Sequence, residues 1–498
     1  MTTTSLTGTE YETIIGLEVH VQLATKSKMY CRCSTDYADS PPNTHVCPVC
    51  LGMPGVLPVI NRQAVEYTIM TALALNCEIP EFSKFDRKNY PYPDLMKGYQ
   101  ISQYDLPLSR NGWLEIDVEG EARRIGITRV HLEEDVAKLL HRQDQSGETY
   151  SLVDVNRAGV PLMEIVSEPD IRSPEEARLY LVKLRQILQY IGVSKASMEE
   201  GAFRCDTNVS IRPRGNPELG GKVEIKNLNS FRAVYGALEY EVERQREVLE
   251  AGGRIEQETR GWLDEESRTV TQRTKEYAHD YRYFPEPDLP PLTLSREYVE
   301  ELRVLLPELP DARRRRLREE CGLSDYEADL LTETRARADY YDAAMAPARG
   351  DGDLLARRAK AISNWMLGDF AHLLNVTETD ISKVKVAPRQ LYDMITLIED
   401  GTISGKAAKS VFEEMFRTGK EPRQIVEELG LTQISESDEV AGIVERVLAA
   451  NPKPAADFQG GKQEALRFLV GQVMRETRGR ANPALVNEIL REKLGTSQ

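Results

Sequence analysis

No stretch of this 498-residue chain is apolar for long enough to form a bilayer-spanning helix. The first residues, Met-Thr-Thr-Thr-Ser-Leu-Thr-Gly, lack the basic start and apolar core of a secretory signal. Both absences predict a cytoplasmic protein with no membrane partner. Cysteine is sparse, at seven residues, which excludes a disulfide scaffold. The dinucleotide and P-loop fingerprints are missing. Gly401-Thr-Ile-Ser-Gly-Lys-Ala407 comes near a phosphate loop, but it is one residue short and no strand precedes it. Ala407 also stands where a Ser or Thr would hold magnesium, so helix-cap chemistry is the better description. There is no repeat of fixed period. No isolated Cys sits in a nucleophile motif and no Ser-Lys arrangement stands out, so a glutaminase signature is absent too.

What is present is ordinary in bulk. Hydrophobic residues make up 41% and charged residues 29%, the balance of a globular protein too long for a single core. The net charge of −16 argues against a protein that coats nucleic acid. The last hundred residues are about neutral, which makes the C-terminal part the better place for a polyanionic partner.

Three segments alternate as half-buried strands do. In Glu12–Leu23, Ile15, Leu17, Val19, Val21 and Leu23 fall on one side, and Glu18, His20 and Gln22 on the other. Arg124–Asp135 places Arg129, His131, Glu133 and Asp135 together. Arg204–Arg212 does the same with Arg204, Asp206, Asn208, Ser210 and Arg212. Carboxylates hold a divalent ion and Arg meets phosphate oxygens in pairs, so one sheet face built from these strands suits a metal and a phosphate.

Cys31-Arg-Cys33 and Cys47-Pro-Val-Cys50 flank a loop of 13 residues and suit a closed, structural four-thiolate zinc knuckle, with His45 as a substitute ligand. Asp154, Asn156 and Arg157 precede a Gly-x-Pro turn, where they either position a phosphate or simply close the turn. A strand resumes beyond it carrying Glu164. Arg87, Lys88, Tyr90 and Tyr92 cluster in Phe85–Asp94, as a site for a stacked base and its phosphate requires, or as a Pro-rich loop allows. Ser173 caps one long helix, and a second begins at Ser230. Pro285–Leu292 reads as a linker or rigid arm, with helices beyond it. The fold class expected is α+β, with a mixed or antiparallel sheet over residues 1–295, a helical connector over 296–400 and a small helical tail over 401–498.

Six stretches carry a family resemblance: Ile-Gly-Leu-Glu-Val-His-Val-Gln-Leu, Phe-Asp-Arg-Lys-Asn-Tyr, Asp-Val-Asn-Arg-Ala-Gly-Val-Pro-Leu-Met-Glu-Ile, Arg-Cys-Asp-Thr-Asn-Val-Ser, Glu-Ile-Lys-Asn-Leu-Asn-Ser, and Asp-Tyr-Arg-Tyr-Phe-Pro-Glu-Pro-Asp-Leu-Pro-Pro. In this order, from Glu12 to the C-terminus, the chain resembles the GatB family, the B-type subunits of the bacterial aspartyl/glutamyl-tRNA amidotransferase. The resemblance implies a body similar in fold to glutamine synthetase. It also implies ATP- and magnesium-dependent phosphorylation of Glu or Asp misacylated onto tRNA-Gln or tRNA-Asn, and then amidation. Ammonia would come from a partner amidase, the A-type component, and a small C-type component would complete a heterotrimer. The tail would contact tRNA.

By the same resemblance, the metal lies near Glu18, His20 and Glu133, with Glu224 as a further candidate. Manganese is the alternative to magnesium because one ligand is a histidine. Asp206, Asn208, Lys226 and Arg157 are expected at the nucleotide phosphates or the metal. Arg87, Lys88 and Tyr90 are expected at the acceptor end or the ammonia tunnel. Zinc on Cys31, Cys33, Cys47 and Cys50 would be structural and dispensable to the chemistry. Two alternatives stay open: a stand-alone glutamine-synthetase-like ligase acting on a free amino acid, and a non-catalytic tRNA-binding scaffold.

Overall fold

The computed structural model describes residues 10–218, 220–274, 278–432, 437–477 and 480–495. The fold is α+β, and the chain divides into two compact units between Leu309 and Pro310. Among the described residues, no helix is long and apolar enough to cross a membrane.

The first unit is built on an eight-stranded sheet. Its strands are β1 (Tyr11–Gln22), β2 (Ser109–Val118), β3 (Glu121–Glu134), β4 (Pro161–Ser167), β5 (Phe203–Pro213), β6 (Val223–Leu228), β7 (Glu258–Leu263) and β8 (Arg268–Thr274). They lie in the order β8-β7-β6-β5-β1-β4-β3-β2. Only β6 and β7 run parallel. Helices α1 (Arg62–Ala74), α2 (Pro174–Ile191) and α3 (Phe231–Glu250) cover one face. Ile15, Leu17, Val19 and Val21 of β1 are buried in the core beneath them, as the alternation requires.

The second site strand keeps its polar face by a local device. Ile125 and Ile127 of β3 point into the helix-side core, and so do Val130 and Leu132. Strict alternation forbids both. A bulge between Ile127 and Arg129 adds the odd residue and turns Arg129, His131 and Glu133 to the face away from the helices. The helices begin where the sequence signals them. Ser173 Oγ accepts from the Glu176 N–H at 3.1 Å, and Ser230 Oγ from the Ala233 N–H at 3.0 Å.

Two expectations change. The Pro-rich segment is an arm clamped to the body, not a free linker. Phe284–Pro285 pairs with Asp86–Asn89, and Leu292–Thr293 pairs with Phe82–Ser83. Leu289 is buried in the body core together with Val299 and Leu302 of α4 (Arg296–Val304), the helix expected to start the connector. In the second unit, the expected boundary at 400/401 falls inside one apolar cluster that runs from Leu317 to Val426. Ser404 caps the helix Gly405–Thr418 by accepting from the Ala407 N–H at 3.2 Å, which settles the loop near Gly401 as cap chemistry. A separate cluster spans Val440 to Leu494.

Truncation after Asp400 therefore removes the buried Ile403, Ala408, Val411, Phe412 and Met415 from a shared core. It is expected to lower the melting midpoint of that unit by about 10 °C or more. Truncation after Thr432 is expected to leave it nearly unchanged. Equal midpoints in calorimetry would contradict this division.

Candidate active site

Register brings the polar faces together. β1 lies between β4 and β5, so Glu18 stands opposite Asp206, and His20 stands between Arg204 on one side and Glu164 on the other. β4 then sets Glu164 opposite His131 of β3. Residues paired in this way share a sheet face. They line a cavity of about 600 Å³ whose walls include Glu18, His20, Lys88, Glu133, Glu164 and Lys226.

At its centre His20 Nε2 lies 3.5 Å from Glu133 Oε1 and 3.8 Å from Glu164 Oε2. One ligand atom from each of the three residues lies within 4.8 Å of the others, the spacing of a metal-binding group. The donor set, two carboxylates and an imidazole, fits a divalent ion such as magnesium or manganese. His131 Nε2 holds Glu164 Oε2 at 3.1 Å, which fixes the ligand's orientation as an outer partner does. The two acids divide their charge unevenly. Burial and the neighbouring Glu164 carboxylate raise the Glu133 pKa, against the pull of His20 and Lys88. Burial pushes Glu164 up as well, but His131, His20 and Lys88 outweigh it and hold Glu164 well below the usual carboxylate range.

A second group flanks the first. Lys226 Nζ donates to Asp206 Oδ2 at 2.6 Å and lies 3.5 Å from Glu224 Oε1. Burial disfavours this ammonium, yet Asp206 and Glu224 outweigh it and hold its pKa above that of an ordinary lysine. Thr259 Oγ1 donates to Glu224 Oε2 at 2.8 Å. Asn208 Nδ2 donates to Glu18 Oε1 at 2.9 Å from an adjoining cleft bordered by Gly220 and Gly221. Behind both groups, Asp135 accepts from Gln22 at 2.7 Å and from Arg204 at 2.9 Å. Burial raises its pKa, but Arg204 and Arg157 outweigh this and lower it.

The structure thus brings together Glu18, His20, Glu133, Asp206, Glu224, Lys226, Lys88 and Tyr90 around one cavity. It leaves Arg157 and Arg87 outside the lining. Arg157 donates to the carbonyls of Val136 and Ala137, both at 2.9 Å. Arg87 forks onto Glu286 with two bonds of 2.7 Å and covers the Tyr99 ring at 4.3 Å. Alternation places His131 on the polar face without indicating its role, and Glu164 stands out in the sequence only as an acid on a later strand. Their period-two placement was visible, but their neighbours across the sheet were not.

The four cysteines converge separately. Their sulfurs lie within 4.8 Å of one another, and Cys47 and Cys50 are 3.9 Å apart. Four sulfurs at about 2.3 Å around a tetrahedral zinc stand about 3.8 Å apart, so the residues fit the ion. His45 is not a ligand. Its Nε2 meets Ser40 Oγ at 2.8 Å, and its N–H is held by Asn156 Oδ1 at 2.8 Å. Asp154 accepts from the Asn43 and Asn156 N–H groups, both at 3.0 Å. The Asp154–Arg157 turn is therefore a clasp on the cysteine loop.

Residues 13–300 match the GatB/GatE catalytic domain, and residues 353–494 match the GatB domain. The cavity lies within the first match, so the polar sheet face belongs to a catalytic domain of that class. Over 488 residues the chain is 57% identical to the B-type subunit of the aspartyl/glutamyl-tRNA(Asn/Gln) amidotransferase of Dehalococcoides mccartyi, covering 98% of this chain and 99% of the relative. It is 58% identical over 485 residues to the same subunit of Carboxydothermus hydrogenoformans, covering 97% and 99%. The chain belongs to the GatB family of aspartyl/glutamyl-tRNA amidotransferase subunits.

Two outcomes follow from the charges. A carboxyl whose folded pKa is raised contributes stability at low pH that is lost as pH rises through that value. Metal-free Glu133→Gln is therefore expected to be more stable than wild type at neutral pH. Manganese should raise the wild-type melting midpoint and not the variant's. A variant less stable at every pH, with equal metal stabilisation, would contradict the assignment. Thiol titration is expected to release one zinc per chain, and Cys50→Ser to bind none and melt about 5 °C lower. Four freely reactive thiols in the purified protein would count against the centre.

Proposed function

We propose that the polar sheet face phosphorylates the side-chain carboxylate of Glu-tRNA(Gln), Asp-tRNA(Asn) or both, using ATP, and then amidates it. A carboxylate is a poor acyl donor because oxide is a poor leaving group. Attack of its oxygen on the γ-phosphorus expels ADP and leaves an acyl phosphate. Ammonia then attacks the acyl carbon, and phosphate departs with the bonding pair. The ammonia comes from glutamine through a partner amidase, since this chain carries no glutaminase signature. The amidase and a small third protein complete a cytoplasmic heterotrimer.

The observation that carries this reading is the convergence of His20, Glu133 and Glu164 beside the Lys226–Asp206 pair on one face. His20, Glu133 and Glu164 would hold a divalent ion, which would supply charge neutralisation at the phosphoryl oxygens. Lys226 presents a fixed positive charge next to the same place, and His131 keeps Glu164 ionised and oriented. Glu18, Asp206 and Glu224 offer further oxygens towards a metal-bound triphosphate. Lys88 lines the same cavity, and its charge lowers the pKa of both carboxylates.

In the assembled complex, Glu164→Gln is expected to slow ATP-dependent amidation of misacylated tRNA by roughly 100-fold with tRNA affinity nearly unchanged. A wild-type rate in this variant would sink the proposal in favour of a scaffold. Turnover of ATP with free glutamate and ammonia, without tRNA, would favour the stand-alone ligase.

A further inference from the structure

The cavity has an end that the metal group does not use. Across the sheet from Lys226, Arg129 of β3 lines the wall, and its Nε is buried without a partner. No carboxylate among the described residues pairs with it. A guanidinium nitrogen left unpaired in a cavity wall favours an anion there.

Beside Arg129 stands an aromatic platform. Tyr104 and Tyr283 are stacked, with ring centroids 4.3 Å apart and planes 11° from parallel, and both line the cavity. Tyr104 is 42% exposed, so its ring is left open to a further partner. The backbone that presents Tyr283 is held in a strained form. Arg282 adopts a left-handed φ of 44°, and Asn89 Nδ2 donates to its carbonyl at 3.0 Å. Burial, Glu133 and Glu164 raise the phenol pKa of Tyr283, and Arg129 opposes them, which puts all four groups in one neighbourhood.

We infer that Arg129, Tyr104 and Tyr283 form a subsite for the 3′-terminal nucleotide of the acceptor tRNA, its base stacked on Tyr104 and its phosphate paired with Arg129. This rests on the reading that a tRNA-linked carboxylate is the substrate. Any base has a flat face for an open aromatic ring, and a free guanidinium is a phosphate partner. The triphosphate has its own place beside Lys226, Asp206 and Glu224. The carboxylate cluster between the two ends is where the aminoacyl group would then reach.

The test is a titration of the assembled complex with an acceptor tRNA carrying 2-aminopurine at its 3′ end. Binding to wild type is expected to quench the fluorescence. Tyr104→Leu should abolish the quenching and weaken binding about ten-fold, whereas Tyr104→Phe, which keeps the ring, should retain both. Arg129→Gln should weaken binding about ten-fold and reduce the salt slope by about one. The affinity for magnesium–ATP should not move in any of them. Undiminished quenching in Tyr104→Leu, or a loss of ATP affinity in its place, overturns the subsite. If wild type amidates tRNA-linked substrate and quenching survives the substitution, the subsite alone fails. If wild type turns over ATP without tRNA, the reading beneath it fails as well.

Discussion

Two carboxylates are held together on one sheet face, and they repel. Glu133 and Glu164 share one imidazole within 4 Å, and the protein accommodates them by unequal ionisation. His131 and Lys88 favour charge on Glu164, while burial disfavours it on Glu133. A site in that condition gains from a divalent cation, because the ion relieves the repulsion that folding alone leaves in place. The rest of the body serves this arrangement. Helices cover one face so that the other can be polar, and a bulge in β3 turns the alternation so that His131 and Glu133 both point to the cavity.

Around the carboxylates the polar groups are largely paired. Asp135 ties Gln22 and Arg204 into the floor, and Asn208 steadies Glu18. The cysteine centre lies apart from this chemistry but not from its scaffold. Lys28 is buried, donates to the His45 carbonyl at 2.8 Å, and so joins the cysteine loop to the segment that follows β1. The Asp154–Arg157 turn clasps the same loop immediately before β4 delivers Glu164. A metal held by the four cysteines would order that loop beside the turn that leads into β4.

Local features were legible in the sequence. Alternation assigned Glu18, His20, Glu133 and Asp206 to one face, and serine caps marked where helices begin, because both depend on near neighbours in the chain. Neighbours across the sheet were not legible. Nothing in the residues 161–167 announces that β4 will lie against β1, so Glu164 read as one acid on an apolar strand. Arg87 and Arg157 looked like phosphate partners because sequence does not reveal a buried Glu286 or two free carbonyls waiting nearby. The Pro-rich arm misled for the same reason. Its ladder partners lie some two hundred positions upstream. The boundary expected at 400/401 followed a real turn, but a turn inside a core looks the same as one between domains.

His20, Glu133 and Glu164 are expected to bind one divalent ion, which anomalous diffraction from crystals grown with manganese would locate. A single peak bonded to the His20 imidazole and to both carboxylates is expected. Manganese density elsewhere in the cavity, with these three side chains unligated, would contradict this.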